Sequence, residues 1–148
     1  MIEIRRLGAG DLALVFAAEH LFDGPVQVVA ARRFLDSADH HLLLAFEHAR
    51  PVGFVSGVEV THPDKGTEMF VYELAVDESF RRQGIGKRLV NALADLAANR
   101  GCYGMWVGVD IVDNAAAVAT YRSAGAEAPE PALIFNWTLP PRSGALPG

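Results

Sequence analysis

Polar and apolar positions alternate at the start of the chain. Ile2–Leu7 places Ile2 and Ile4 on one side of Glu3 and Arg5, the pattern of a half-buried strand. Gly8-Ala9-Gly10 breaks it, and Asp11 is placed to cap a helix carrying Leu12, Val15, Phe16 and Leu21. Pro25 opens or precedes a second helix running to about Phe34 or Leu35. His41–Phe46 and Val52–Val60 read as strands joined by a turn at Ala49-Arg50-Pro51, and residues 61–68 as a polar loop. Met69–Val76 is a further strand. From Gly84 to Asn99 the period changes to that of a helix, with Ile85, Leu89, Leu93 and Leu96 on one stripe and Gly101 as its stop. Met105–Val109 is a strand, Asn114 caps a helix over Ala115–Ala124 that Gly125 ends, and Leu133–Leu139 is a last strand. The pattern predicts one α/β domain over residues 1–139, with a mixed sheet and helices on its faces. The Pro/Gly-rich segment 140–148 is expected to be a flexible tail.

Composition narrows the function. A chain of 148 residues, 51% hydrophobic, is one domain with a proper core. The net charge of −5 argues against a nucleic-acid partner and suits a small cationic one. Apolar runs are interrupted well before the roughly 20 residues of a membrane span, and the N-terminus lacks the apolar core of a signal peptide. The expected location is the cytoplasm. The single cysteine, Cys102, excludes an internal disulfide and a thiolate zinc site. His40 and His41 are adjacent in a strand and point to opposite faces, so no metal is expected. Trp106 and Trp137 read as core or interface aromatics.

The sharpest chemical signal is Arg81-Arg82-Gln83-Gly84-Ile85-Gly86, between a strand and the start of the best helix. A helix N-terminus offers free N–H groups and a partial positive charge, which suits phosphate. The glycines admit a close ligand, and Arg81, Arg82, Lys87 and Arg88 add charge. The pattern is neither the dinucleotide-binding nor the P-loop fingerprint.

R-R-Q-G-I-G, preceded by V-Y-E-L-A-V and followed by Asn114, Ala117 and Tyr121, resembles the GNAT family of N-acetyltransferases. The likeness covers nearly the whole chain. Within that family, F-V-Y-E-L-A-V-D-E-S-F-R-R-Q-G-I-G and A-V-A-T-Y-R-S-A-G look most like the type I aminoglycoside 3-N-acetyltransferases. The resemblance implies a mixed central sheet flanked by about four helices, with a splayed pair of strands forming an acetyl-CoA cleft. It implies that the pyrophosphate lies on the backbone of Gln83 to Lys87. The pantetheine arm would add edge-on to Leu74-Ala75-Val76, where a bulge frees a backbone N–H for the thioester carbonyl. Asn114 joins the implied cofactor contacts.

Glu73 shares a face with Met69, Val71 and Ala75 if the strand alternates regularly. A carboxylate among apolar groups can accept a proton near neutral pH, as an incoming ammonium requires. Tyr121, two turns after Asn114, can protonate the departing thiolate. Asp110, Asp113 and Glu130 are placed to draw a polyamine-like sugar. The expected reaction is direct acetyl transfer from acetyl-CoA to a primary amine, foremost an aminoglycoside 3-amino group. The alternatives are a polyamine, a protein amine, or a non-catalytic acyl-CoA-binding module. A homodimer is what the family suggests.

Overall fold

The computed structural model describes residues 1–141. Its five strands, β1 (Ile2–Arg6), β2 (His40–Glu47), β3 (Arg50–His62), β4 (Gly66–Val76) and β5 (Met105–Val107), form one sheet in the order β1-β2-β3-β4-β5. The first four are antiparallel neighbours, and β5 joins β4 in parallel. The crossover between them is α3 (Ile85–Asn99), packed on one face of the sheet. α1 (Leu12–Ala17) and α2 (Val28–Asp36) cover the other face, and α4 (Ala115–Ser123) follows β5. The expected mixed α/β sheet with four helices is present.

The periodicities locate the two cores. On the α3 face, Leu43, Val52, Val55, Met69 and Val71 meet Ile85, Leu89 and Leu93. On the other, Leu42, Leu44, Phe46 and Phe54 meet Val15, Ala18 and Leu35. Such alternation marks a sheet covered on both sides over its central strands. α3 ends as its glycine requires. Gly101 has φ +84°, and the N–H groups of Gly101 and Cys102 return to the carbonyls of Ala98 and Ala97.

Several boundaries differ from the sequence pattern. The polar stretch 61–68 is mostly strand, because β3 and β4 form a long hairpin whose ladder reaches His62 and Gly66. Leu21 lies in a short 3-10 turn after α1. β5 stops at Val107, since β4 offers it only three partners, Met69, Phe70 and Val71. Asp11 and Asn114 stand at the starts of α1 and α4, but neither side chain caps its helix. The strand expected over Leu133–Leu139 is not formed, because these residues find no neighbouring strand in the chain. Of the expected tail, residues 142–148 lie outside the described residues.

A buried polar cluster closes the sheet beside the C-terminal end of α3. His41 is fully buried; its Nδ1 accepts from the Arg6 guanidinium at 2.9 Å, and its Nε2–H donates to Glu59 at 2.6 Å. Glu59 also accepts from Arg100. Burial holds the His41 imidazole below its ordinary 6.5, while hydrogen bonds from His41 and Arg100 hold Glu59 below 4.5 against the cost of its own burial. Both depressed values have the same sign. Their stabilisation is complete above the unfolded values and is lost as pH falls through the folded ones. The melting temperature is therefore expected to begin falling below about pH 6.5, as measured by a thermal-melt series, and His41→Phe should flatten the first part of that slope.

Candidate functional site

The site grows out of the end of β4. Opposite Ser56 and Gly57 on β3 stand Glu73 and Val71, so Tyr72 is an extra residue with no counterpart. This bulge inverts the alternation. Met69 and Val71 face α3 before it, and Leu74 and Val76 do so after it, while Glu73 turns with Ser56 and Ala75 toward α1 and α2. The expectation that Glu73 shares a face with Met69 and Val71 is thus corrected, and its pairing with the Ala75 face stands.

Past Val71, β5 no longer accompanies β4, and the two strands part. The Glu73 N–H turns inward to Ser56 Oγ at 3.2 Å, and the Asp77 N–H donates to the Val52 carbonyl at 2.8 Å. With a strand period of two, the Ala75 N–H also points to β3. Those of Leu74 and Val76 face the opened side, where an extended ligand can pair with them.

The chain then turns sharply into α3. Asp77 accepts from the Ser79 N–H at 3.0 Å and from Arg50 at 3.0 Å, and these contacts hold its carboxyl below the ordinary value. Arg81 Nε donates to the Val76 carbonyl at 3.1 Å, tying the turn to the strand end. Arg82 and Gly84 both have positive φ, +63° and +77°. No side chain caps α3, so the N–H groups at its start have no side-chain partner. Gly86 lies where three elements converge. A Cβ there would stand 3.1 Å from Thr120 Cγ2 on α4 and within 4 Å of Val76 and Leu74. Arg88 points elsewhere, donating to the Ile2 carbonyl at 3.1 Å.

On the other side of β4 a cavity of about 440 Å³ opens between the sheet and α2. Phe22, Pro25, Phe34 and Phe54 supply apolar wall, and Ser56, Tyr72 and Glu73 lie along the bulge. Burial raises the Glu73 carboxyl above its ordinary 4.5, and the negative charge of Asp23 raises it further. Asp23, in the loop between α1 and α2, is the acidic neighbour that sequence reasoning missed. Its only signal is its place in Phe22-Asp23-Gly24-Pro25, a turn whose partner strand is 50 residues away.

The other expected residues lie around α4. Tyr121 is half-buried, and burial raises its phenol above 10, so it stays protonated at neutral pH. Asn114 donates its side-chain amide to the carbonyls of Asp110 and Val112, at 2.9 and 3.1 Å, and so closes the turn after β5. Asp110, Asp113 and Glu130 are exposed and do not line the cavity. Among the described residues no cluster of His, Cys, Asp and Glu is arranged to hold a metal, and no helix is long and apolar enough to cross a membrane.

The fold and the cleft define an α/β protein whose sheet is split at β4–β5 beside the uncapped start of a crossover helix. The chain belongs to the acetyltransferase (GNAT) family, whose pattern matches residues 4–126. The [ribosomal protein bS18]-alanine N-acetyltransferase of Escherichia coli K12 is 40% identical over 58 residues, 39% of this chain and 38% of that protein. The match to this relative thus spans well under half of its length. An aminoglycoside acetyltransferase from an uncultured soil metagenomic sample, solved with trehalose, superimposes with a TM-score of 0.86 at 26% identity, covering 93% of this chain and 96% of that one. AAC(6′)-Iy, solved with the bisubstrate analogue CoA-S-monomethyl-acetylneamine, shares the fold with a TM-score of 0.79 at 19% identity over 94% of this chain and 99% of that one.

The residues present fit an acyl-CoA. The opened edge of β4 suits the amide-bearing arm, the uncapped start of α3 suits a diphosphate, and the close packing at Gly86 leaves the turn narrow.

Proposed function

We propose that this chain is an acetyl-CoA-dependent N-acetyltransferase for a small cationic primary amine, foremost an aminoglycoside. The observation that carries the reading is Glu73. It is a carboxylate with a raised pKa, at the wall of a cavity, on the very bulge that frees the strand edge beside it. Acetyl-CoA supplies an activated thioester. Leu74 and Val76, on either side of Ala75, pair with its arm, and Gln83 to Lys87, with Arg81 and Arg82, hold its diphosphate. Asn114 shapes the loop that borders it. Glu73 takes the proton from the arriving ammonium, directly or through one water, so that the free amine attacks. Tyr121 is the protonated group on hand for the departing thiolate.

The aminoglycoside assignment is supported by the structural likeness to the soil acetyltransferase. The exposed Asp110, Asp113 and Glu130 would act on a polycation by long-range attraction rather than from the cavity wall. The type I resemblance points to the 3-amino group, which NMR of the product would locate. A second reading is a protein or peptide amine. It is favoured by the apolar wall formed by Phe22, Phe34 and Phe54, and by the ribosomal-protein relative.

The test is thiol release from acetyl-CoA with gentamicin-type aminoglycosides, polyamines and peptides bearing a free N-terminal alanine. Turnover with an aminoglycoside is expected. Turnover with peptides alone would select the second reading, and CoA binding without turnover on any amine would leave a binding module. Tyr121→Phe is expected to lower kcat by about tenfold or more, within the ordinary range for a proton-transfer group, with KM for the amine little changed. Unchanged kcat in a folded variant would mean that water protonates the thiolate.

A further inference from the structure

The cavity beside Glu73 is more apolar than a polycation needs. Phe22, Pro25, Phe34, Leu35, Leu42 and Phe54 line it, and Leu35, Leu42 and Phe54 belong to the buried core. The outer rings are held in place as well. Phe22 meets Phe54 edge-on at 5.0 Å, and Phe34 meets the His40 imidazole edge-on at 5.3 Å. The loop that carries Phe22 and Pro25 is closed by the Val26 N–H, which donates to Glu19 at 2.8 Å. An aromatic slot therefore stands formed before any ligand arrives.

Polar side chains in this wall are few. They are Gln27, Ser56, Tyr72 and Glu73. Gln27 and Tyr72 are exposed, and the Ser56 hydroxyl already accepts from the Glu73 N–H. Among the described residues, Glu73 is the one carboxylate that lines the cavity, and Asp23 adds its charge from outside it. Such a lining satisfies one ammonium and one apolar body. A hydroxyl or a second ammonium drawn into the interior gives up its water partners and finds little to replace them.

We propose a further activity at this site: acetylation of a primary monoamine carried on an aromatic ring by a short chain, an arylalkylamine of the size of phenethylamine. This rests on the acetyltransferase reading above and adds the substrate class that the cavity interior takes. Roughly 150 Å³ of apolar cavity already holds a benzene ring, so the 440 Å³ here has room for the ring and the chain that leads its amine to Glu73. The ring lies among Phe22, Phe34 and Phe54 in edge or offset contact. The ammonium gives one proton to Glu73. The nitrogen then forms a C–N bond to the acetyl carbon, the thioester C–S bond breaks, and CoA leaves as the thiolate. The nitrogen loses its second proton as the thiolate gains one. The products are the N-acetyl amide, CoA thiol and the proton on Glu73. An aminoglycoside meets the same carboxylate with its hydroxylated rings outside the apolar interior.

Thiol release from acetyl-CoA by the full chain, with phenethylamine and ethanolamine as paired monoamines, tests this. Phenethylamine is expected to exceed ethanolamine by at least about 100-fold in kcat/KM, since the ring fills apolar space that the hydroxyl cannot use. Mass spectrometry should find its N-acetyl product. Ala30→Phe fills the cavity from α2, at a position outside the buried core. It should lower kcat/KM for phenethylamine by about tenfold or more, mainly through KM, with CoA affinity and melting temperature kept. Equal or better turnover of ethanolamine overturns the proposal. So does an Ala30→Phe variant that handles phenethylamine as the wild type does, because the ring then lies elsewhere. Turnover of aminoglycosides or peptides without phenethylamine overturns this inference and leaves the acetyltransferase reading standing. CoA binding with no turnover of any amine overturns both.

Discussion

Replacing Glu73 with Gln is expected to lower kcat/KM for the amine by about 10²–10⁴-fold while CoA affinity stays within twofold. The side chain is isosteric, so the cavity wall and the bulge at Tyr72 are kept, and only the proton acceptor is lost. The pH profile carries a second signature. A base works when ionised, so the wild-type rate should fall on acidification through a pKa above the ordinary 4.5, raised first by burial and then by Asp23. Glu73→Gln should abolish that limb, and Asp23→Asn should move it to lower pH.

Stability should change in the opposite sense. A carboxyl whose folded pKa is raised stabilises the fold below its unfolded value, and that contribution disappears as pH rises through the folded value. At neutral pH the ionised Glu73 therefore costs stability, and Glu73→Gln should melt at the wild-type temperature or above it. Melting curves at pH 4 and pH 7.5 check this, since the difference should shrink at the lower pH. A variant with wild-type rates at every pH would place the base elsewhere.

The second large effect is expected at the turn into α3. Gly84 has φ +77° and nothing within 4 Å of a Cβ. Gly84→Val pays backbone strain of about 1–2 kcal/mol and displaces the N–H groups of the first turn. CoA affinity should fall by about 10- to 100-fold, as much as losing one or two charge-assisted hydrogen bonds. Gly86→Val acts by another route. Its side chain meets Thr120, Val76 and Leu74, so it wedges α4 from α3 and from the strand edge. It should lose both CoA affinity and melting temperature, whereas Gly84→Val loses mainly affinity. Calorimetric titration with CoA beside thermal melts separates the two. Unchanged affinity in both folded variants would remove the diphosphate from this turn.

Much of the candidate site was legible because its signals are local. The Arg81–Gly86 motif sits at a strand-to-helix junction, and both neighbours of that junction have strong periodicity: apolar alternation in Met69–Val76 and a stripe at Ile85, Leu89 and Leu93. What the junction offers, uncapped N–H groups, follows from helix geometry alone. Glu73 was also legible as a carboxylate in a strand, but its face was not. A period of two assigns it to the α3 side with Met69 and Val71, and one extra residue, Tyr72, reverses that. Nothing in the local pattern marks a bulge, because it arises from the register with Ser56 and Gly57 on another strand.

The sequence by itself determined the α/β class, the strands and helices with strong periods, the glycine-stopped ends of α3 and α4, and the turn into α3. Tertiary structure alone decided how far β5 accompanies β4, which acidic side chain acts on Glu73, and what becomes of Leu133–Leu139. In each case the reason is the same. Periodicity reports which side of a segment avoids water, but not which distant segment covers it. Asp23 reaches the field of Glu73 across 50 residues of chain, while Asp110, Asp113 and Glu130, nearer in sequence to the α4 motif, remain in solvent. The strand pattern of Leu133–Leu139 is present in the sequence, but a strand forms only where a neighbour offers its edge, and within the single chain none does.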